Sequence, residues 1–287
     1  MTSNELTLDQ KLGTVKNLPT LPLVLRQVQK VMHDPKSTMV QIAAVVATDQ
    51  ALTSRTMRLV NSAFYGMRER VTSISHGIVI LGLNALNSLM IGLSVVKLFK
   101  DSSITGFEPA KYWEHCFGTA LLAKYMAEAL GKKDMEQFFT AGLLHDLGKI
   151  VLDQFLHDEF SQALLCVKKR KMRLFECEKT IIGFDHGDVG AWLGQKWGLP
   201  EAFIASMGCH HGQRLPEALR EFQEDVRLVR AANELCNGAD IGASGDLYHA
   251  LPDHVSVEGL NDLGIKDLID RARGEVKATM QEWNNAL

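Results

Sequence analysis

The chain of 287 residues carries 31 Lys and Arg against 34 Asp and Glu, a net charge of -3, so its overall field recruits neither nucleic acid nor an acidic membrane surface. Hydrophobic residues make up 46% and charged residues 23%, the balance of a folded globular protein rather than a disordered one. No apolar run reaches the roughly 18 residues that cross a bilayer, and Met1 to Gln10 lacks a signal-peptide core, so a cytoplasmic protein without membrane contact is expected.

From the N-terminus, Thr7 with Gln10 and Thr38 with Gln41 have capping-box spacing, each ahead of apolar residues recurring at three and four, and mark two helix starts. Leu18-Pro19-Thr20-Leu21-Pro22 is a proline-framed entry into a helix with Leu23, Val24, Val28 and Val31 that stops before Asp34-Pro35. Apolar periodicity then predicts helices over 39–47, 51–61, 73–81 and 84–98, with turns at Gly66 and Gly82. The polar stretch Lys100 to Ala110 reads as a linker. It divides the chain into an N-terminal helical subdomain (1–100), a helical core (101–237) and a C-terminal loop with a capping helix (238–287). Helices are predicted in the core near 111–130, 135–145, 147–155, 158–170, 174–182, 186–197, 200–211 and 222–237. The chain ends in an amphipathic helix with Leu268, Ile269, Ala272, Val276, Met280 and Trp283 on one face. No series of alternating strands is present, and the fold class is all-α.

The basic run Lys168-Lys169-Arg170-Lys171 with Arg173 reads as a solvated helix face rather than a phosphate or nucleic-acid patch. Five cysteines, Cys116, Cys166, Cys177, Cys209 and Cys236, include no C-x-x-C pair, so neither a disulfide framework nor a thiolate zinc site is indicated, and they read as small core hydrophobes.

The chemistry concentrates at Gly142-Leu143-Leu144-His145-Asp146-Leu147-Gly148-Lys149, where a histidine and an aspartate lie side by side in an apolar stretch. His33-Asp34 and His157-Asp158 repeat the dipeptide in polar surroundings, so context separates the pair from its decoys. Phe138, Phe139, Leu143 and Leu144 before it, with Ile150, Val151 and Leu152 after it, draw His145-Asp146 into a core, where a charge needs a partner or a metal. Of the ten histidines, His115, His145, His186, His210 and His211 fall in apolar or small-residue surroundings in the second half, with His115 and His186 near helix starts. Each alone reads as a satisfied core residue. Together, imidazoles and a carboxylate suit one or two divalent ions such as iron, manganese, zinc or nickel, with Asp146 as the bridge between two imidazole sets.

Seven ordered motifs carry a resemblance to a known family. They are Leu18-Pro19-Thr20-Leu21-Pro22, Asn61-Ser62-Ala63-Phe64-Tyr65-Gly66, Ile80-Leu81-Gly82-Leu83, Trp113-Glu114-His115, the Ala141 to Lys149 run, Asp185-His186-Gly187-Asp188-Val189-Gly190-Ala191 and Trp197-Gly198-Leu199-Pro200. In this order they resemble the HDOD domain, the HD-related output domain of bacterial signalling proteins, over roughly Leu18 to Asn237. The resemblance implies an all-helical core related to the HD phosphohydrolases, preceded by a helical subdomain, acting in bacterial signal transduction and gene regulation. The related HD-GYP cyclic-di-GMP phosphodiesterases bind metals through histidines, the His-Asp pair and a late aspartate. Carried over by position, His115, His145, Asp146, His186, His210 and His211 are the implied metal ligands. Asn233 takes the place of the late aspartate, which weakens one metal position, and the GYP signature is absent.

Two functions follow as expectations. In the first, the chain is a signalling or protein-interaction module with a retained metal site. Phe64 and Tyr65 then either present a contact loop or plug the interface between the two halves, and signalling partners are separate proteins still to be identified. In the second it is a metal-dependent phosphohydrolase acting on a cyclic dinucleotide, a nucleotide or another phosphoester, with Asp146 and Lys149 in catalytic roles and Lys149 reaching a phosphate of the ligand. The plain alternative for Lys149 is a helix-end lysine complementing the dipole. The plain alternative for the cluster is a buried hydrogen-bonded network kept for structure.

Overall fold

The computed structural model describes residues 8–12, 20–32, 34, 36–99, 102, 106, 108–246 and 255–287. Thr7, Leu18, Pro19 and His33 lie outside the described residues, as does most of the expected linker from Lys100 to Ala110. Every regular element among the described residues is a helix. The N-terminal part runs α1 (Leu8–Leu12), α2 (Leu23–Met32), α3 (Met39–Ala47), α4 (Gln50–Val60), α5 (Ile74–Leu81) and α6 (Leu83–Phe99). It continues through α7 (Pro109–Ala129), α8 (Met135–Leu144), α9 (Leu147–Phe155), α10 (His157–Arg170), α11 (Leu174–Ile181), α12 (His186–Trp197), α13 (Glu201–Cys209), α14 (Gln223–Gly238) and α15 (Asp262–Ala286). A short 3-10 turn at Glu217–Phe222 leads into α14.

Short side chains start the helices where the sequence places them. Thr38 and Gln41 close a reciprocal capping box, with Gln41 N–H donating to Thr38 Oγ1 at 3.3 Å and Thr38 N–H to Gln41 Oε1 at 2.8 Å. Asp49 and Ser73 cap α4 and α5 from one side, accepting the N–H of Leu52 at 2.8 Å and of His76 at 3.1 Å. Asn61 fastens the chain after α4: its amide donates to Met57 O and Val71 O and accepts from Val71 N–H, all within 2.8–2.9 Å.

That staple presents Phe64 and Tyr65 to the core. Phe64 meets Phe139 at 5.5 Å between ring centroids, Tyr65 donates to Glu136 at 2.8 Å, and Lys124 lies over the Phe64 ring while pairing with Glu136 at 2.6 Å. Of the two readings of this loop, the structure supports the plug between the halves.

One apolar cluster runs from Leu12 to Ala286 without interruption. α6 is buried on nearly all sides and packs on α8. At the far end α15 lays Trp283 against Phe117 and Phe139, each at 5.5 Å, where the indole also fills the space beside Gly92. No single described helix is long and apolar enough to cross a membrane; α5 and α6 together have the composition but are bent by 117°. His115 corrects one expectation. It lies well inside α7, because that helix begins at Pro109, whose fixed φ suits a first helical turn.

Candidate metal centre

His145 ends α8 and Asp146 starts α9, so the pair forms the corner between two helices, with the aspartate at the positive end of α9. Three close backbone approaches bring the other ligands to this corner. At Gly142 a Cβ would lie 2.8 Å from Ala120 Cα, so α8 presses on α7 and brings His145 toward His115. At Gly148 a Cβ would lie 1.9 Å from His186 O, so the first turn of α9 rests on the first turn of α12. Gly242, at φ +70, closes the loop after α14 over the His115 backbone, where a Cβ would come within 2.2 Å of His115 N.

Asp146 is fully buried and its two oxygens face different partners. Oδ2 lies 3.4 Å from His145 Nε2, 3.7 Å from His115 Nε2 and 2.6 Å from Lys149 Nζ. Oδ1 lies 3.3 Å from His186 Nε2 and 3.6 Å from His210 Nε2. His211 joins the second set, its Nε2 2.7 Å from that of His186 and its ring stacked on Phe175 at 4.5 Å. The side chains therefore form two groups sharing Asp146: one with His115 and His145, the other with His186, His210 and His211.

The far sides of three rings are fixed. His145 Nδ1 meets Gly142 O at 2.7 Å, His210 Nδ1 meets Met207 O at 2.8 Å, and His186 Nδ1 meets Glu178 Oε2 at 2.6 Å. At His145 and His210 those backbone acceptors select the tautomer whose Nε2 lone pair faces inward, the arrangement of metal-ligating histidines, whereas His186 beside Glu178 holds a second proton until a cation displaces it. Glu178 also accepts the His186 backbone N–H at 2.9 Å, which locks the start of α12 to α11. Asp146 Oδ1, both His115 nitrogens, His145 Nε2 and His210 Nε2 are buried without a hydrogen-bond partner. So many unpaired buried polar atoms at one dry point is unfavourable, and a cation would satisfy those that turn a lone pair inward.

Burial pushes His115 down to about 3 and His210 to about 4, and it takes His211 well below the ordinary imidazole value. These three are neutral imidazoles at physiological pH. His186 is different: burial acts downward, but Glu178 beside it holds it up at about 9. Burial would raise Asp146, yet His145 and Lys149 keep its carboxyl well below the usual range. His115, His210, His211 and the ionised Asp146 thus suit a divalent cation, and His186 must release a proton to join them.

The HDOD domain model matches residues 18–213. The chain belongs to the HDOD family. Among solved structures it is similar to an HDOD domain protein of unknown function from Geobacter sulfurreducens, at 27% identity and a TM-score of 0.66 over 96% of this chain and 91% of that one. It also shares the fold of an inferred phosphohydrolase from Shewanella amazonensis SB2B, at 21% identity and a TM-score of 0.70 over 96% and 97% of the two chains. An inferred signal transduction protein from Marinobacter aquaeolei VT8 shares it as well, at 21% identity and a TM-score of 0.72 over 98% of this chain and 62% of that one. An uncharacterised protein of Treponema pallidum (strain Nichols) is 27% identical over 220 residues; the match takes in 76% of this chain and 42% of that protein, so the chain spans less than half of its relative.

Within this HDOD core the structure brings together His115, His145, Asp146, His186, His210 and His211, and it sets Lys149 against Asp146 rather than toward solvent, 2% exposed. Asn233, on α14, is buried beside His115 and accepts from Asn237 at 3.0 Å. Sequence reasoning missed Glu178 and Phe175. Glu178 had a signal: α11 is buried along Leu174, Cys177 and Glu178, and a glutamate on an apolar stripe needs a partner. It also missed Tyr112, which donates to Asp146 O at 3.1 Å and supports the corner from α7.

Proposed function

We propose that this HDOD chain is a signalling module that acts through contact with partner proteins, and that its His–Asp cluster holds one divalent metal ion between Asp146, His186, His210 and His211. The observation that carries this reading is the sealing of the cluster. His115, His145 and Asp146 have no solvent exposure and His186 and His210 have 1%, with only His211 half-buried at the rim. A catalytic metal keeps a position open to substrate, whereas a structural one is closed by protein ligands. The second half-site is supported over the first by its ligand count. It has four donors, while the first has His115, His145 and an oxygen already held at 2.6 Å by the Lys149 ammonium, with the neutral Asn233 nearby. A bound ion would supply the positive charge that the buried carboxylate and the inward lone pairs lack.

The phosphohydrolase reading has one observation in its favour: each oxygen of Asp146 faces its own set of imidazoles, the layout of a bridging ligand in a two-metal site. Metal analysis of protein purified without added metal separates the two readings when followed by Mn(II) or Fe(II) reconstitution and assays on cyclic dinucleotides, nucleotides and a generic phosphodiester. The module reading expects one equivalent, lost in His186→Ala, and no turnover. Two equivalents with turnover, both abolished by His145→Ala, would overturn it.

A further inference from the structure

We propose that Cys166 and Cys177 are an oxidisable dithiol, converted by hydrogen peroxide into a disulfide that fastens α11 to α10. The two residues lie 11 apart in sequence on adjacent helices, and their sulfurs are 2.6 Å apart, with the Cys177 thiol directed at Cys166. A disulfide bond is about 2.05 Å long, so bond formation needs little movement of either helix. The remaining cysteines, Cys116, Cys209 and Cys236, are buried free thiols and serve as internal controls.

The two sulfurs are not equivalent. Cys166 lines a surface cavity of about 280 Å³ together with Lys169 and Arg170, while Cys177 has no exposure. The cavity admits a small oxidant to the Cys166 sulfur, so this residue is the one that meets peroxide first. Burial, and then the contact with Cys166, pushes the Cys177 thiol up to about 12, which keeps its proton in place until the second step. In the first step the Cys166 thiolate attacks one peroxide oxygen and the O–O bond breaks; the leaving hydroxide takes a proton and departs as water, which leaves a sulfenic acid. In the second step the Cys177 sulfur attacks the Cys166 sulfur. The S–S bond forms, the S–O bond breaks, and the Cys177 proton leaves with the hydroxyl as a second water. Two thiols lose two electrons in all, and one peroxide is reduced to two waters.

What the disulfide would fasten is the helix beside the His–Asp cluster. α11 carries Glu178, which binds His186 through both the ring and the backbone, and Phe175, which stacks on His211. A cross-link between α10 and α11 suppresses local opening of this helix. The inference rests on the thiol pair alone and stands with or without a metal in the cluster.

The full chain, treated with about one equivalent of hydrogen peroxide, is alkylated under denaturing conditions and peptide-mapped. In parallel, amide hydrogen exchange is followed over residues 174–181 before and after oxidation, and again after reduction with dithiothreitol. The expected result is a Cys166–Cys177 linked peptide with Cys116, Cys209 and Cys236 still alkylated, and exchange over 174–181 slowed at least about tenfold and restored by dithiothreitol. Cys166→Ala should show neither change. Absence of the linked peptide while peroxide is consumed would overturn the proposal, as would a linked peptide with unchanged exchange over α11.

Discussion

Gly148→Ala tests whether the contact between α9 and α12 builds the cluster. The added Cβ would sit 1.9 Å from His186 O, 2.8 Å from His186 C and 2.9 Å from Gly190 N, all backbone atoms that no rotamer change can move aside. Ordinary contact between such atoms needs about 3.5 Å, so the two helix starts must separate by well over 1 Å. The helix starts carry Asp146 and His186, whose facing atoms are 3.3 Å apart. Overpacking typically costs about 1–3 kcal/mol, and a clash confined to backbone belongs at the upper end or beyond. At about 2–4 °C per kcal/mol for a chain of this size, Tm should fall by roughly 6–12 °C. The assay is thermal unfolding by circular dichroism, with metal content measured on the same preparation. Gly274→Ala is the control. Its site on α15 has nothing within 4 Å, so the substitution should raise stability by about 0.5–1 kcal/mol through helix propensity alone. If Gly148→Ala unfolds within a degree of the parent and keeps its metal, the close approach is not what assembles the centre.

Trp283→Ala removes a fully buried indole from between Phe117 and Phe139 and should cost about 3–5 kcal/mol in denaturant titration; a loss under about 1 kcal/mol would mean that α15 does not cap the core. Glu178→Gln keeps the shape of the acceptor but drops its charge beside His186, so chelator competition should show metal affinity lower by about 10–100-fold, and an unchanged affinity would remove Glu178 from the support of the site. Asp225 has its carboxyl raised above the ordinary 3.8 by burial, although Gln137 donates to it at 2.5 Å. A raised acid contributes stability below its unfolded pKa and loses it as pH rises through the folded value. Asp225→Asn should therefore raise Tm at pH 7 and lose that gain on acidification below about pH 4, where both states are protonated; a gain independent of pH would contradict the burial argument. Asn233→Asp restores a carboxylate beside His115: in metal-free protein it should lower Tm, because an unpaired charge is buried, and Mn(II) should recover it with a second bound equivalent. No added metal uptake would mean that Asn233 does not stand at a ligand position.

The helices were legible because their signals are local. Predicted spans from 39–47 to 222–237 agree with the structure to within two residues at each end, since capping side chains, apolar periodicity and punctuating glycines all act within a few residues of where they are read. His115 shows the limit of that logic. It reads as lying near a helix start, but Pro109 had already begun the helix; its small neighbour Gly118 lets Ile241 and Cys236 come close.

The residues of the cluster were legible through motif order, because the histidines fall on four separate segments that no periodicity connects. What escaped notice was the layer behind them. Glu178 and Cys177 sit on the buried stripe of one short helix, and their partners, His186 and Cys166, lie 8 and 11 residues away on other helices. A composition reading treats a glutamate as surface and a cysteine as core, and each is right about frequency while missing the pairing. The same separation explains the asymmetry of the cluster. Lys149 follows Asp146 by one helical turn, so its ammonium is delivered by local geometry to Oδ2, the oxygen shared with His115 and His145. Asn233 arrives from a distant helix and brings no charge. Oδ2 is thus neutralised by Lys149 from within the chain, while Oδ1 faces His186 and His210, the side that the single cation we propose would occupy once His186 releases its proton.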